Sequence, residues 1–349
     1  MNRWLVIRLR QPNLSLRLDL RAVVIVAILG LLTAGVMVIN IGLGEYPISP
    51  PDVVRALLGI GDETQRFVVQ TLRVPRTLVA FLVGGGLAIS GTILQGLARN
   101  PLAAPEIVGI TAGANLAAVI VVVFITSISI TILPFAAFAG ALAVAAVIYV
   151  LAWKQGSTGS RLVLIGIGVG AIAHAVVTLA LTEGDIYLVT KALTWMTGSV
   201  YGKTWEEFWL LLLWLAIFTP LAFLLSGQLN VLRLGDDVAR GLGSRVEWER
   251  GLLLLTSVAL TAGPVAVAGP IGYPFGFVGL MAPHIAGRLT GSAHSGTLAV
   301  AAMAGGLILV LSDLVGRVLF APVEIPCGAI AAAVGAPYLI YLLYRSRNI

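Results

Sequence analysis

The sequence is poor in charged residues, cysteine and histidine, and each shortage excludes a class of site. Only 11% of its 349 residues are Asp, Glu, Lys or Arg, about half of the fraction in a typical soluble domain. The single cysteine, Cys327, excludes an internal disulfide, and three histidines without companion thiols leave no spacing for a zinc or haem site. We therefore expect no metal chemistry in this chain.

Apolar sequence takes the place of charge: 58% of the residues are hydrophobic, and the mean hydropathy is +1.00. A membrane span needs about 20 mostly apolar residues. Eight runs contain no Asp, Glu, Lys or Arg: 22–44, 77–98, 107–153, 162–182, 208–232, 251–287, 289–312 and 325–344. The two longest runs are broken, one near Pro134 and one within 269–276. The pattern predicts an all-α integral membrane protein with ten transmembrane helices.

The positions of the basic residues predict the orientation. Residues 1–21 contain five arginines, and the apolar run that follows is too long for a signal peptide, so we expect a retained first helix after a cytoplasmic segment. If both termini are cytoplasmic, 15 of the 22 basic residues face inward, as the positive-inside rule requires. The net charge of +6 therefore reflects topology and not nucleic-acid binding. Residues 45–76 then form an external connection, and 227–250 form a cytoplasmic one.

Polar residues within the apolar runs indicate the kind of transport. His174 lies midway along the fifth span, either in a wet pathway or in a structural hydrogen bond. Asp313 and Arg317 are four residues apart, a spacing that predicts a local ion pair. No carboxylate is expected at mid-membrane, which disfavours a proton-coupled secondary transporter. Glycines four apart, such as Gly109 and Gly113, predict closely packed helices.

No catalytic or nucleotide site is predicted in this chain. The segment from Gly198 to Thr204 resembles a phosphate loop, but three residues separate its glycines where the motif requires four. It also follows no predicted strand, so we interpret it as an external turn. No Ser-His-Asp, Cys-His or paired-carboxylate arrangement stands out as a catalytic site. We therefore expect transport without covalent chemistry.

Several patterned stretches remain, and their order along the chain carries a resemblance. They are Arg73-Val-Pro-Arg76, Gly84-Gly-Gly86, Gln95-Gly-Leu-Ala-Arg99-Asn100-Pro101-Leu102-Ala103-Ala104-Pro105, Trp195-Met-Thr-Gly198, Leu229-Asn230-Val-Leu-Arg-Leu-Gly235-Asp236-Asp237, Gly279-Leu280-Met-Ala-Pro283-His284, Asp313-Leu-Val-Gly-Arg317, Glu324-Ile-Pro326 and Gly335-Ala-Pro337. From about residue 22 to the end, the chain resembles the FecCD/BtuC-type permeases. These are the membrane subunits of bacterial ABC importers for ferric siderophores, haem and vitamin B12.

The resemblance implies a single permease domain over 22–349, with the BtuC-like fold of a type II importer. It implies three kinds of partner: a second permease subunit, identical or a sister chain; two cytoplasmic ATPases that bind ATP and Mg; and an external solute-binding protein. The chain itself would hold no cofactor. Ferric siderophores are the commonest cargo of such proteins, with cobalamin or haem as alternatives. A proton-coupled carrier acting alone is the rival from another class.

The resemblance also implies roles for individual residues. Without the resemblance, the stretch from Leu229 to Gly243 would be interpreted as a solvated charged loop. The resemblance implies that this stretch couples the permease to the ATPase through Leu229, Asn230, Leu234, Gly235, Asp236, Asp237, Ala239, Leu242 and Gly243. Binding-protein docking falls on Arg73, Arg76 and Arg317, for which interfacial snorkelling is the alternative. The resemblance implies that the transport pathway narrows toward the cytoplasm at Thr158, Ser160 and His174.

A structural role falls on Gln95, Asn100, Pro101, Pro105, Pro283 and His284. The chain departs from the family pattern at two places. Residues near 273–276 look like an insertion before the eighth helix, and Gly287 replaces a frequent basic residue before Arg288.

Overall fold

A computed structural model describes residues 4–9, 14–106, 108–125, 132–152, 159–271, 276–291 and 294–346. This part of the chain is predominantly helical, as predicted. The exception is an antiparallel hairpin of β1 (Trp4–Leu9) and β2 (Leu14–Asp19) within the segment that precedes the first predicted helix. Its second strand alternates apolar and polar residues, a two-residue period that is typical of strands.

Fifteen helices and one π-helical turn follow the hairpin in the described ranges. They are α1 (Leu20–Gly42), α2 (Pro50–Leu57), α3 (Glu63–Phe67), a π-helical turn (Val68–Arg73), α4 (Val74–Ala98), α5 (Ile110–Phe124), α6 (Leu133–Ala152), α7 (Gly159–Glu183), α8 (Ile186–Met196), α9 (Trp205–Leu224), α10 (Ser226–Arg233), α11 (Asp236–Gly241), α12 (Val246–Ala268), α13 (Phe277–Thr290), α14 (His294–Val318) and α15 (Cys327–Ser346). Each predicted span corresponds to one of the longer helices.

Seven helical segments of the described chain are long and apolar enough to cross a membrane. They are Leu20–Gly42, Glu63–Ala98, Leu133–Ala152, Arg161–Glu183, Trp205–Leu224, Val246–Ala268 and Ser295–Val318. Apolar helices of fewer than 18 residues cover Ile110–Phe124 and Cys327–Leu342, and α13 has 14 residues. The chain is therefore a multi-span membrane protein.

Helices α4 and α12 form the centre of the bundle, and α13 and α14 pack against α4. Glycines allow these backbones to touch. A Cβ atom at Gly91 would overlap the carbonyl of Gly279 on α13, and one at Gly84 would overlap the carbonyl of Gly305 on α14. The packing predicted for Gly109 is confirmed, because its Cα lies against the backbone of α7.

Helix α4 extends through the whole bundle, so Arg73 before it and Arg99 after it mark opposite ends. At the Arg73 end, α2 and the π-helical turn pack against the last residues of α1 around a small apolar cluster. At the Arg99 end, α10 contacts α4 and α14. These two ends contain most of the residues that the sequence singled out.

Local polar signals explain where several helices begin. Thr204 and Glu207 form a capping box at α9, in which the Glu207 carboxylate accepts the Thr204 backbone N–H at 2.9 Å. The segment before Thr204 is a turn between α8 and α9, as predicted.

Candidate functional site

Helices α10 and α11 form a short helical hairpin at the Arg99 end. Its inner side is apolar: Leu229, Leu232 and Ala239 are buried. Gly235 joins the two helices with a φ of +118°, a backbone conformation that a residue with a Cβ atom rarely adopts. Gly243 ends the hairpin with a φ of +84°, and the partly buried Asn230 lies on α10. The sequence of this loop therefore encodes a docked, sharply bent element.

Asp236 anchors the hairpin to two helices of the bundle. Its Oδ1 atom accepts a bond from Arg250 Nη2 at 2.9 Å and a short bond from Arg99 Nη2. Arg250, in the second turn of α12, is only 2% exposed, and Arg99 also donates to the Leu232 carbonyl at 2.9 Å. Burial alone would raise the pKa of Asp236, but both arginines outweigh it and lower the pKa below its ordinary value. Asp236 thus links the hairpin to the end of α4 and to α12.

The outer side of the hairpin exposes an apolar stripe. Leu234, Val238 and Leu242 are 62%, 50% and 65% exposed, and their four-residue spacing places them on one face of the turn and helix. Asp237 is also exposed, and among the described residues its ion-pair partner is Arg240, at 3.4 Å. Exposed apolar side chains on a polar surface element are typical of a protein contact. We call these three residues the hairpin stripe.

At the Arg73 end, Asp313 of α14 is the centre of a buried ionic network. It is 2% exposed and accepts two bonds from Arg76, of which the Nη2 bond is 2.8 Å long. Arg76 Nη1 binds Glu324 Oε2 at 2.9 Å. The predicted local pair of Asp313 with Arg317 is wrong, since Asp313 pairs across helices with Arg76 and Arg317 reaches α1 instead.

Arg73 and Arg317 bind the end of α1. Arg73 donates to the carbonyls of Ile41 at 2.7 Å and Tyr46 at 2.8 Å, and Arg317 donates to the backbone and side-chain oxygens of Asn40. Both arginines are buried. They satisfy carbonyls that the last turn of a helix leaves without partners. Of the three arginines predicted to dock a binding protein, Arg76 is the one that lines a surface cavity.

The predicted pathway residues are not brought together by the described structure. Thr158 lies outside the described residues, and Ser160 belongs to the first turn of α7. His174 is exposed on α7, about midway along the helix. Its exposed position leaves both interpretations of His174 open.

The predicted structural residues contact α13 and its surroundings. Gln95 Nε2 donates to the Leu280 carbonyl at 3.2 Å, and Asn100 caps the turn after α4 by accepting the Leu102 N–H at 2.9 Å. Gln95, Pro101, Pro283 and His284 line one cavity of about 370 Å³. Pro105 lies against Gly279. Residues 272–275 of the apparent insertion lie outside the described chain.

A buried carboxyl group lies at mid-depth in the bundle, and the prediction that no carboxylate lies there was wrong. Glu106 is buried against Gly276 and Gly279, at the level of Leu87 in the middle of α4, and its Oε2 atom has no hydrogen-bond partner in the structure. A signal was available, because Glu106 is the single charged residue between Arg99 and Lys154. One isolated carboxyl does not constitute the chain of groups that a proton relay requires.

Comparison with protein families gives a match over most of the chain. The model of the FecCD transport family matches residues 31–345. This range contains every long helix after the first turns of α1, together with the hairpin stripe and the Asp313 network.

Individual proteins match over nearly their full lengths. A Bacillus subtilis protein, "Probable siderophore transport system permease protein YfhA", is 46% identical over 93% of this chain and 95% of its own length. The achromobactin transport system permease protein CbrC of Dickeya dadantii is 43% identical over 97% of this chain and 96% of its own. A solved structure described as an inward-facing conformation of a metal-chelate type ABC transporter has a TM-score of 0.83 at 30% identity, covering 92% of this chain and 99% of that one.

Proposed function

Because the chain belongs to the FecCD transport family, we propose that it is the permease subunit of an ATP-driven importer that carries ferric siderophores across the bacterial cytoplasmic membrane. The family and the apolar helices make it a multi-pass protein of that membrane. The single observation that supports the importer mechanism best is the hairpin of α10 and α11. It exposes an apolar stripe while Asp236 anchors it to the bundle.

We propose that this hairpin docks into a cytoplasmic ATPase. The hairpin stripe would enter an apolar cleft, and closure of the ATPase pair on ATP and Mg would push the hairpin. Asp236 would pass that displacement to Arg99 at the end of α4 and to Arg250 on α12. In this arrangement the permease needs no nucleotide site or cofactor of its own.

The orientation follows from the same assignment. The Arg99 end faces the cytoplasm, both termini lie inside, and all ten longer helices cross the membrane within one domain over 22–349. The Arg73 end then faces outward, toward the binding protein. There Arg76 lines a surface cavity while paired with Asp313 and Glu324, whereas Arg73 and Arg317 position the end of α1 beside it. The complete importer would contain two permease subunits, identical or sister chains, and two ATPases.

The cargo is inferred from the relatives. Their names refer to siderophores, to achromobactin and to iron(III) citrate, and the solved structural relative is a metal-chelate transporter. These names favour a ferric chelate over cobalamin or haem.

Uptake by cells with and without this chain tests the proposal. Under iron limitation, we expect loss of the chain to abolish uptake of at least one radiolabelled ferric siderophore while labelled cobalamin uptake is unchanged. Inactivating the partner ATPase should have the same effect. Loss of cobalamin uptake alone would replace the cargo, and uptake that an uncoupler stops but ATPase loss does not would contradict the importer mechanism.

A further inference from the structure

A cavity of about 550 Å³ opens at the Arg73 end between α8, the start of α4 and the segment after α14. Three cationic side chains line it, Arg76, Lys191 and Lys203, together with the aromatic rings of Tyr187 and Tyr201. The Arg76 guanidinium lies 5.4 Å from the centre of the Tyr201 ring. The cavity therefore combines a largely apolar wall with cationic and aromatic side chains and one carboxylate, that of Glu324.

One face of α8 supplies the largest share of the lining. Its residues recur at the spacing of a single helix face: Tyr187, Thr190, Lys191, Thr194 and Trp195. The opposite face buries Ala192 and Met196 in an apolar cluster against α5 and α7. Packing of that apolar face fixes the rotation of α8, so the polar face points into the cavity.

The charges in the cavity are not equally available. Arg76 is bound by Asp313 and Glu324, the carboxylate that lines the cavity, and Lys203 pairs at 3.4 Å with the glutamate four residues later. Lys191 has no ion-pair partner among the residues that the structure describes. Its charge is therefore the one left to attract an anion that enters the cavity.

We propose that the polar face of α8 is a contact site for the cargo, and that Lys191 is a specificity-determining residue that favours chelates with net negative charge and free carboxylates. This inference rests on the proposed function, since it needs a cargo that passes the Arg73 end. The lysine attracts the carboxylates as the cargo leaves the binding protein, while the tyrosine hydroxyls can donate hydrogen bonds to the same groups.

The test uses the complete importer with its binding protein in proteoliposomes. Uptake of radiolabelled iron is compared between ferric citrate, which is anionic, and ferrichrome, a neutral hydroxamate complex. For Lys191→Gln we expect the KM for ferric citrate to rise about two- to fivefold, the range that a partly exposed charge pair provides. Lys191→Arg should keep the KM of the natural protein, and Lys191→Glu should raise it further. The KM for ferrichrome should not change.

Two controls separate this role from others. Arg55→Gln removes an exposed cation from α2 outside the cavity and should leave both KM values unchanged. The affinity of the binding protein, measured separately, should be equal for Lys191→Gln and the natural chain. An equal KM change for both chelates, no change for either, or a change explained by weaker binding-protein affinity would overturn the inference.

The natural importer also distinguishes the two proposals. If it carried only neutral chelates, the role of Lys191 would be rejected and the proposed function would stand. If it carried no iron chelate at all, the proposed function itself would fail.

Discussion

The two ends of the bundle use arginine differently. At the Arg73 end, Arg73, Arg76 and Arg317 bind groups on other segments of the chain and fasten α1, α4 and α14 together. At the Arg99 end, Arg99 and Arg250 hold one aspartate under a hairpin whose outer side chains are apolar and exposed. In the first arrangement the arginines bind groups within the chain, whereas the second leaves an exposed apolar surface, which we propose contacts the ATPase. We infer from this difference that the Arg73 end is rigid and that the hairpin at the Arg99 end moves during transport.

The largest expected effect comes from breaking the network at the Arg73 end. Asp313→Leu removes the acceptor of two Arg76 bonds and leaves a nearly buried guanidinium with Glu324 alone. Loss of one partner from a buried pair costs about 3–5 kcal/mol. We expect a clearly lower midpoint in thermal unfolding of the purified protein and less protein in membranes.

Asp52→Leu is the matched control, because Asp52 pairs with Arg55 on the exposed surface. Exposed pairs contribute up to about 1 kcal/mol, so its unfolding midpoint should stay near that of the natural chain. Equal destabilisation by both substitutions would contradict the interpretation of the Asp313 network as a structural centre.

The second effect concerns neighbouring aspartates at the Arg99 end. Asp236→Asn weakens bonds to Arg99 and Arg250, and hydrogen bonds to charged groups contribute about 1.5–3 kcal/mol. We expect a chain that still inserts but whose transport falls about tenfold while ATP hydrolysis by the complex continues. Asp237→Asn should transport normally, because the Asp237 side chain is fully exposed. Equal loss of transport in both variants would contradict the anchoring role.

The pH dependence of stability gives an independent measure of the same anchor. Since the folded structure lowers the pKa of Asp236, the carboxylate stabilises the fold at pH values above its ordinary pKa of 3.8. This contribution disappears as the pH falls through the lowered pKa. The difference in stability between the natural chain and Asp236→Asn should therefore be constant from about pH 6 to 8 and shrink below about pH 4.

The smallest effect tests the hairpin stripe. Leu242→Ser should leave folding unchanged, because the side chain is already exposed, but it removes part of the apolar surface that we propose to contact the ATPase. Truncating a central interface residue costs about 1–2 kcal/mol, so ATPase affinity should fall about 5- to 30-fold in a pull-down titration. Leu58→Ser, at an equally exposed leucine of the Arg73 end, is the control. If Leu242→Ser left the ATPase affinity unchanged, the proposed contact between the hairpin stripe and the ATPase would be wrong.

Sequence patterns predicted the helices better than the contacts between them. Charge-free runs and their proline and glycine breaks located the seven membrane-length helices of the described chain, because hydrocarbon length constrains each run directly. The cross-helix pairs of Asp236 with Arg250 and of Asp313 with Arg76 could not be predicted, because they depend on how distant segments rotate against each other. The local rule that paired Asp313 with Arg317 failed for this reason: the nearer residue in sequence was not the nearer one in space.

The contact between Gly91 and Gly279 has a consequence for how this gene can vary. Every missense change of a glycine codon adds at least one carbon atom, and at position 91 that atom would overlap the backbone of α13. All such changes therefore meet the same obstacle, whatever the chemistry of the new side chain. Exposed leucines such as Leu31 on α1 meet no such obstacle. Neutral substitutions should therefore accumulate on the outer helices of this protein. The glycines whose backbones touch at its centre should tolerate none.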